Sequence, residues 1–80
     1  MGSPDPKTHD PAFDLGAEVV SRRKALGLRQ EDLADLAGVS HRFVQAVEAG
    51  KQTVQLDKVV AVLDVLGLRL SVSPRRGGDR

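Results

Sequence analysis

Four glycines, Gly27, Gly38, Gly50 and Gly67, cut this chain into segments of helix length, and that punctuation limits the fold more than any other feature. Ahead of the first glycine, Leu15, Val19 and Leu26 recur at helical spacing from Phe13 onward. Gly27 stands where a left-handed residue ends a helix, and Leu28 is placed to pack back on that end. The next segment predicts a helix over Gln30 to Ala37, with Leu33, Leu36 and Ala37 on its buried side. Glu31 and Asp32 complement the dipole in its first turn. Ser40 is suited to cap a third helix whose Val44 and Val47 face inward, and Gly50 ends it. In a fourth helix, over Leu56 to Leu66, the residues Leu56, Val59, Val60, Leu63 and Leu66 trace an i, i+3, i+4, i+7 stripe that Val62 and Val65 widen.

After Gly67 the period changes to two. Leu68, Leu70 and Val72 alternate with Arg69, Ser71 and Ser73 until Pro74 stops the pattern. This predicts a single strand with no partner in the chain, and an unpaired strand with an apolar face invites pairing with its own copy. The expected architecture is therefore all-α: a compact four-helix domain over residues 13–73. A short C-terminal β-strand, Leu68, Arg69, Leu70, Ser71 and Val72, pairs across a homodimer. Residues 1–12, rich in Pro, Asp and Gly, read as a flexible arm, and residues 74–80 as a flexible basic tail.

Composition narrows the function. With 40% hydrophobic residues and only Phe13 and Phe43 aromatic, Leu, Val and Ala must build the core. The absence of cysteine removes disulfides, thiolate zinc sites and cysteine nucleophiles, and fits a reducing cytoplasm. No stretch approaches the roughly 20 apolar residues of a membrane span, and the N-terminus has no signal-peptide core. A cytoplasmic protein is expected. His41 has only His9, in the arm, as a fellow histidine, so no metal site is expected. No nucleophile, base and orienting group can be assembled, nor a glycine-rich phosphate loop, which argues against an enzyme and against a cofactor. Twelve basic against eleven acidic residues give a net charge of only +1, so binding to nucleic acid must rest on where charges stand.

The second and third helices meet the demands of a helix-turn-helix, in which the second helix of the pair enters the major groove and the first braces it. Ala34 is small where the helices approach, Gly38 allows a positive φ in the turn, Val39 fills the space behind it, and Val44 and Val47 anchor the second helix. Ser40, His41, Arg42, Gln45, Ala46 and Ala49 remain on its outer face. Arg42 can pair with guanine and Gln45 with adenine. His41 can donate to a base or a phosphate, and Ala46 can touch a thymine methyl. His41 and Arg42 in a first helical turn oppose the dipole, a placement that makes sense if an anion arrives from outside.

The run Arg23-x-x-x-Gly27-Leu28-x-Gln30-Glu31-Asp32-Leu33-Ala34-x-x-Ala37-Gly38-Val39-Ser40, with Val44, Glu48 and Gly50, resembles the phage-repressor (Xre/Cro-type) helix-turn-helix family. The resemblance covers about Phe13 to Leu66. The continuation through Phe43, Gln45, Lys51 and Thr53-Val54-Gln55-Leu56-Asp57-Lys58 to Gly67-Leu68-Arg69-Leu70 is more narrowly similar to HipB-type antitoxins. The resemblance implies a dimer on a palindromic operator of double-stranded DNA and a HipA-type kinase toxin as partner. It also implies phosphate contact at Gln30, base contacts at His41 and Arg42, and an internal ion pair between Arg23 and Glu48. Arg29 departs from the usual Thr or Ser, which leaves either a weaker cap or a side chain serving the DNA backbone. Ser40, Lys51, Gln52 and Thr53 are further phosphate candidates, the last three reading equally as a polar loop. Arg22 and Lys24 read as a solvated helix face or as phosphate contacts, and Phe43 as a flank of the core or an exposed wedge. A stand-alone Xre-type regulator without a toxin, and a purely structural dimerisation module, are the competing readings.

Overall fold

The computed structural model describes residues 11–72 and Pro74, with side chains from Leu15 onward. The expected arm and tail lie outside the described residues, apart from Pro11, Ala12 and Pro74. Four α-helices follow one another: α1 (Pro11–Ala25), α2 (Gln30–Ala37), α3 (His41–Glu48) and α4 (Leu56–Val65). The first starts two residues before Phe13, at a proline, whose fixed φ and missing N–H suit a first helical turn.

Each helix stops in the same way. The glycine N–H and the following N–H both turn back to carbonyls of the last turn: Gly27 to Lys24 and Leu28 to Arg23, Gly38 to Asp35 and Val39 to Ala34, Gly50 to Val47 and Lys51 to Ala46, Gly67 to Asp64 and Leu68 to Leu63. The glycines supply the left-handed backbone, φ 73° at Gly38, that this closure needs. The residue after the glycine is apolar and packs against the core at Leu28, Val39 and Leu68. After α3 it is the exposed Lys51.

The core consists of Val19, Leu33, Ala34, Val44, Val47, Val59, Val62, Leu63 and Leu66, with no buried polar residue among the described ones. Here α2 packs on both α3 and α4, while α1 packs on α3. Three residues expected inside are exposed instead: Leu36 at 63%, Leu56 at 62% and Val60 at 40%. Leu36 and Val60 each sit one residue, about 100° around the helix, from a neighbour that faces the core, Ala37 and Val59 respectively. Leu56 opens α4 with no preceding turn to cover it. The apolar stripe is thus wider than the contact it makes. Leu26, also counted in a stripe, follows the end of α1 and is 45% exposed.

The approach of α1 to α3 is set by Gly16, which is buried. A Cβ there would lie 2.6 Å from the Val47 carbonyl oxygen and 3.1 Å from that of Glu48. The Gly16→Ala variant is expected to lose stability. Relieving the clash with rigid backbone costs about 1–3 kcal/mol, against a helix-propensity gain of at most about 1 kcal/mol. A lower urea midpoint with unchanged m checks this, and a midpoint raised above wild type would contradict the close contact.

Candidate nucleic-acid interface

Only Gly38, Val39 and Ser40 separate α2 from α3, so the turn holds the two helices as a unit. Ser40 caps α3: its hydroxyl oxygen accepts the backbone N–H of Phe43 at 3.0 Å. Inward, Val44 and Val47 are buried, while His41, Arg42 and Gln45 are exposed and Ala46 is half-buried on the opposite side. Phe43 is half-buried against the core, as its flank.

At α2 the cap takes another form. An arginine side chain offers no acceptor, so Arg29 cannot serve as Ser40 does. The Asp32 carboxylate instead accepts the Arg29 backbone N–H at 2.9 Å and binds the guanidinium through both oxygens at 3.2 Å. The Arg29 guanidinium, then its N–H, hold the Asp32 carboxyl below its ordinary value. Arg29 also lies 3.5 Å from Glu31, so its charge is already matched by carboxylates.

Behind the helix pair, Arg23 reaches across from α1. Its Nε donates to Glu48 Oε2 at 2.6 Å, its second nitrogen to Oε1 at 3.1 Å, and its third to the Leu28 carbonyl at 2.9 Å. These side chains are 12% and 6% exposed, and the guanidinium is held above its ordinary value first by the hydrogen bond to Glu48. Gln30, the first residue of α2, donates from Nε2 to Glu48 Oε1 at 2.9 Å, and its Oε1 lies 3.2 Å from His41 Nε2. Gln30 is therefore engaged at both ends of its amide. Arg22 donates to the Leu66 carbonyl at 3.0 Å, closing the end of α4, while Lys24 is exposed.

On the other flank of α3 lies a cleft lined by Ser40, Arg42, Phe43, Ala46, Lys51, Thr53, Val54, Gln55 and Lys58, with no carboxylate in its wall. Arg42, Lys51 and Lys58 form no ion pair with the described residues. Thr53 and Gln52 are exposed beside them. Lys58 was not among the sequence candidates. Its Nζ stands 6.0 Å from the Phe43 ring centroid, at the outer reach of a cation–π contact. As the third residue of a helix it reads as ordinary surface, and only the packing of α4 beside α3 brings it to the cleft. The segment Leu68 to Val72 forms no ladder within the described residues. Leu68 rests on the core, and Leu70 at 45% and Val72 at 96% carry the apolar side outward. Among the described residues no group of three or more His, Cys, Asp or Glu gathers to hold a metal ion, and no helix is long and apolar enough to cross a membrane.

Two outcomes are expected. Glu48→Ala removes the partner of the part-buried Arg23 charge and lowers stability by about 1–3 kcal/mol, measurable by chemical denaturation. The Asp32 contribution is complete above the ordinary carboxyl value of 3.8 and is lost as pH falls through the depressed folded-state value. Asp32→Asn should flatten the acid limb of the stability–pH curve, and an unaltered limb would rule out that contribution.

The helix-turn-helix family profile matches residues 20–72. An uncharacterized HTH-type transcriptional regulator of Sinorhizobium fredii is 48% identical over 59 residues, covering 74% of this chain and 78% of the relative. One from Haemophilus influenzae is 34% identical over 59 residues, and the alignment spans 60% of its length and 74% of this chain. Among solved structures, a chain of a toxin–antitoxin module from Streptococcus pneumoniae superposes with a TM-score of 0.75 at 30% identity, covering 95% of this chain and 84% of that one. With α2 and α3 joined by a glycine turn and the family's pattern extending from α1 past α4, the chain belongs to the Xre-type helix-turn-helix family of transcriptional regulators.

Proposed function

We propose that this protein is a sequence-specific DNA-binding repressor, the antitoxin of a HipBA-like toxin–antitoxin system, which binds a palindromic operator as a dimer and neutralises a kinase toxin. The observation that carries the DNA part is the placement of charge. Arg42, Lys51 and Lys58 stand around the exposed face of α3 without carboxylate partners, whereas Arg23 and Arg29 are paired. A net charge of +1 does not oppose binding when three unmatched cations, Arg42, Lys51 and Lys58, share one face with the base-reading side chains.

In this reading His41, Arg42, Gln45 and Ala46 meet base edges. Ser40, Gln30, Lys51, Gln52, Thr53 and Lys58 meet phosphates, and Arg29 joins them by exchanging its exposed carboxylate partners for the DNA backbone. Gln30 keeps one amide hydrogen for a phosphate while the other serves Glu48. The exposed apolar residues Leu70 and Val72 supply the dimer strand. The antitoxin assignment draws on the likeness to a toxin–antitoxin module chain. A stand-alone regulator is the second reading, favoured by the names of the two curated relatives. The protein acts in the cytoplasm, on the nucleoid when bound.

Arg42→Ala is expected to lose about 1–3 kcal/mol of discrimination between operator and random duplex. Lys51→Ala or Lys58→Gln should weaken both duplexes alike and reduce the slope of log K against log salt by about 0.9 each. Fluorescence anisotropy across a salt series checks both, and an unchanged specificity ratio for Arg42→Ala would remove it from the base contacts. Leu70→Pro should give monomers in sedimentation. An intact dimer would place the interface elsewhere, such as on α4. A kinase encoded beside the gene that co-purifies with this protein separates the antitoxin from the stand-alone regulator.

A further inference from the structure

Four side chains from three helices form one line of hydrogen bonds: Arg23, Glu48, Gln30 and His41. A carboxylate clasped by a guanidinium can only accept, so the Gln30 atom that faces Glu48 must be the amide nitrogen. The atom that Gln30 turns to His41 is then the carbonyl oxygen, which can only accept in its turn. His41 Nε2, 3.2 Å away, must therefore carry the hydrogen. The other ring nitrogen, Nδ1, has no hydrogen-bond partner among the described residues, and the side chain is exposed.

We propose that Glu48 and Gln30 are positioning residues that lock His41 in the Nε2–H tautomer, so that the neutral ring presents Nδ1 to DNA as an acceptor. An acceptor at that position selects a major-groove amino group, the N4 of cytosine or the N6 of adenine, and disfavours guanine, whose groove edge offers only acceptors. The charged groups around His41 are Arg23 from α1, Arg29 and Glu31 at the start of α2, and Arg42 and Glu48 on α3. The base-reading half of this inference rests on α3 being the recognition helix, whereas the tautomer does not.

The two halves are tested separately. Long-range proton–nitrogen NMR of the ¹⁵N-labelled free protein in a His9→Asn background isolates the His41 ring, since the chain has two histidines. For the neutral ring the expected pattern is a protonated-type Nε2 and an unprotonated Nδ1, relaxing toward a mixture of tautomers in Gln30→Ala. An Nδ1–H pattern in the wild-type ring, or ring shifts unchanged by Gln30→Ala, overturns the lock. Selection from a random duplex library tests the readout. The expected result is one position enriched in adenine or cytosine, a preference lost in His41→Ala. If His41→Ala keeps the wild-type preference, the readout is wrong. If no sequence is enriched by the wild type, the recognition-helix reading itself falls, an outcome the NMR result does not share.

Discussion

The bidentate contact between Arg23 and Glu48 joins the end of α1 to the end of α3, and two other contacts converge on it. The same guanidinium binds the Leu28 carbonyl just beyond α1, and the same carboxylate receives Gln30 at the head of α2. Through Gln30 the line continues to His41 at the head of α3. An ion pair this far from solvent gains little net stability over a well-packed apolar pair, because both charges lose their water. Its value here is geometric. The pair and its hydrogen bonds satisfy one another only in one arrangement of three helices, so the position of α3 relative to α1 and α2 is specified rather than merely favoured.

Charge is sorted by the same arrangement. Arg23 behind the helix pair and Arg29 at the head of α2 are spent on carboxylates, while Arg42, Lys51 and Lys58 around the outer flank of α3 are not. The helix ends give a second sign of this sorting. Three of the four glycine closures are followed by an apolar residue that seals the core. The fourth, after α3, is followed by Lys51, so the closure that elsewhere completes the interior there turns a cation outward.

Much of this was legible from residues alone because it depended on local chemistry. Gly38 and Ser40 marked the turn and the start of α3, and the bounds of α2 followed from Gln30 and Gly38. What escaped was set by tertiary approach. Nothing in the neighbourhood of Gly16 announces that the α3 backbone lies against it, since a lone glycine in a helix ordinarily reads only as a weak helix former. Lys58 and Phe43 are far apart in sequence. Leu36, Leu56 and Val60 obey helical periodicity yet stay outside, because a short helix in a small domain touches its neighbours over a narrower arc than its apolar stripe. The segment Leu68 to Val72 alternates as a strand does, yet it joins no ladder among the described residues.

The contact at Gly16 bears on how far the surface of α3 can vary. Backbone against backbone, with no side chain between, means that the depth at which α3 sits does not vary with the side chains it displays. The exposed side chains Arg42 and Gln45 and the half-buried Ala46 can then be exchanged while every replacement starts from the same platform at the same height. His41 is the exception. It is wired through Gln30 to the frame, so drift at that position is felt by the scaffold.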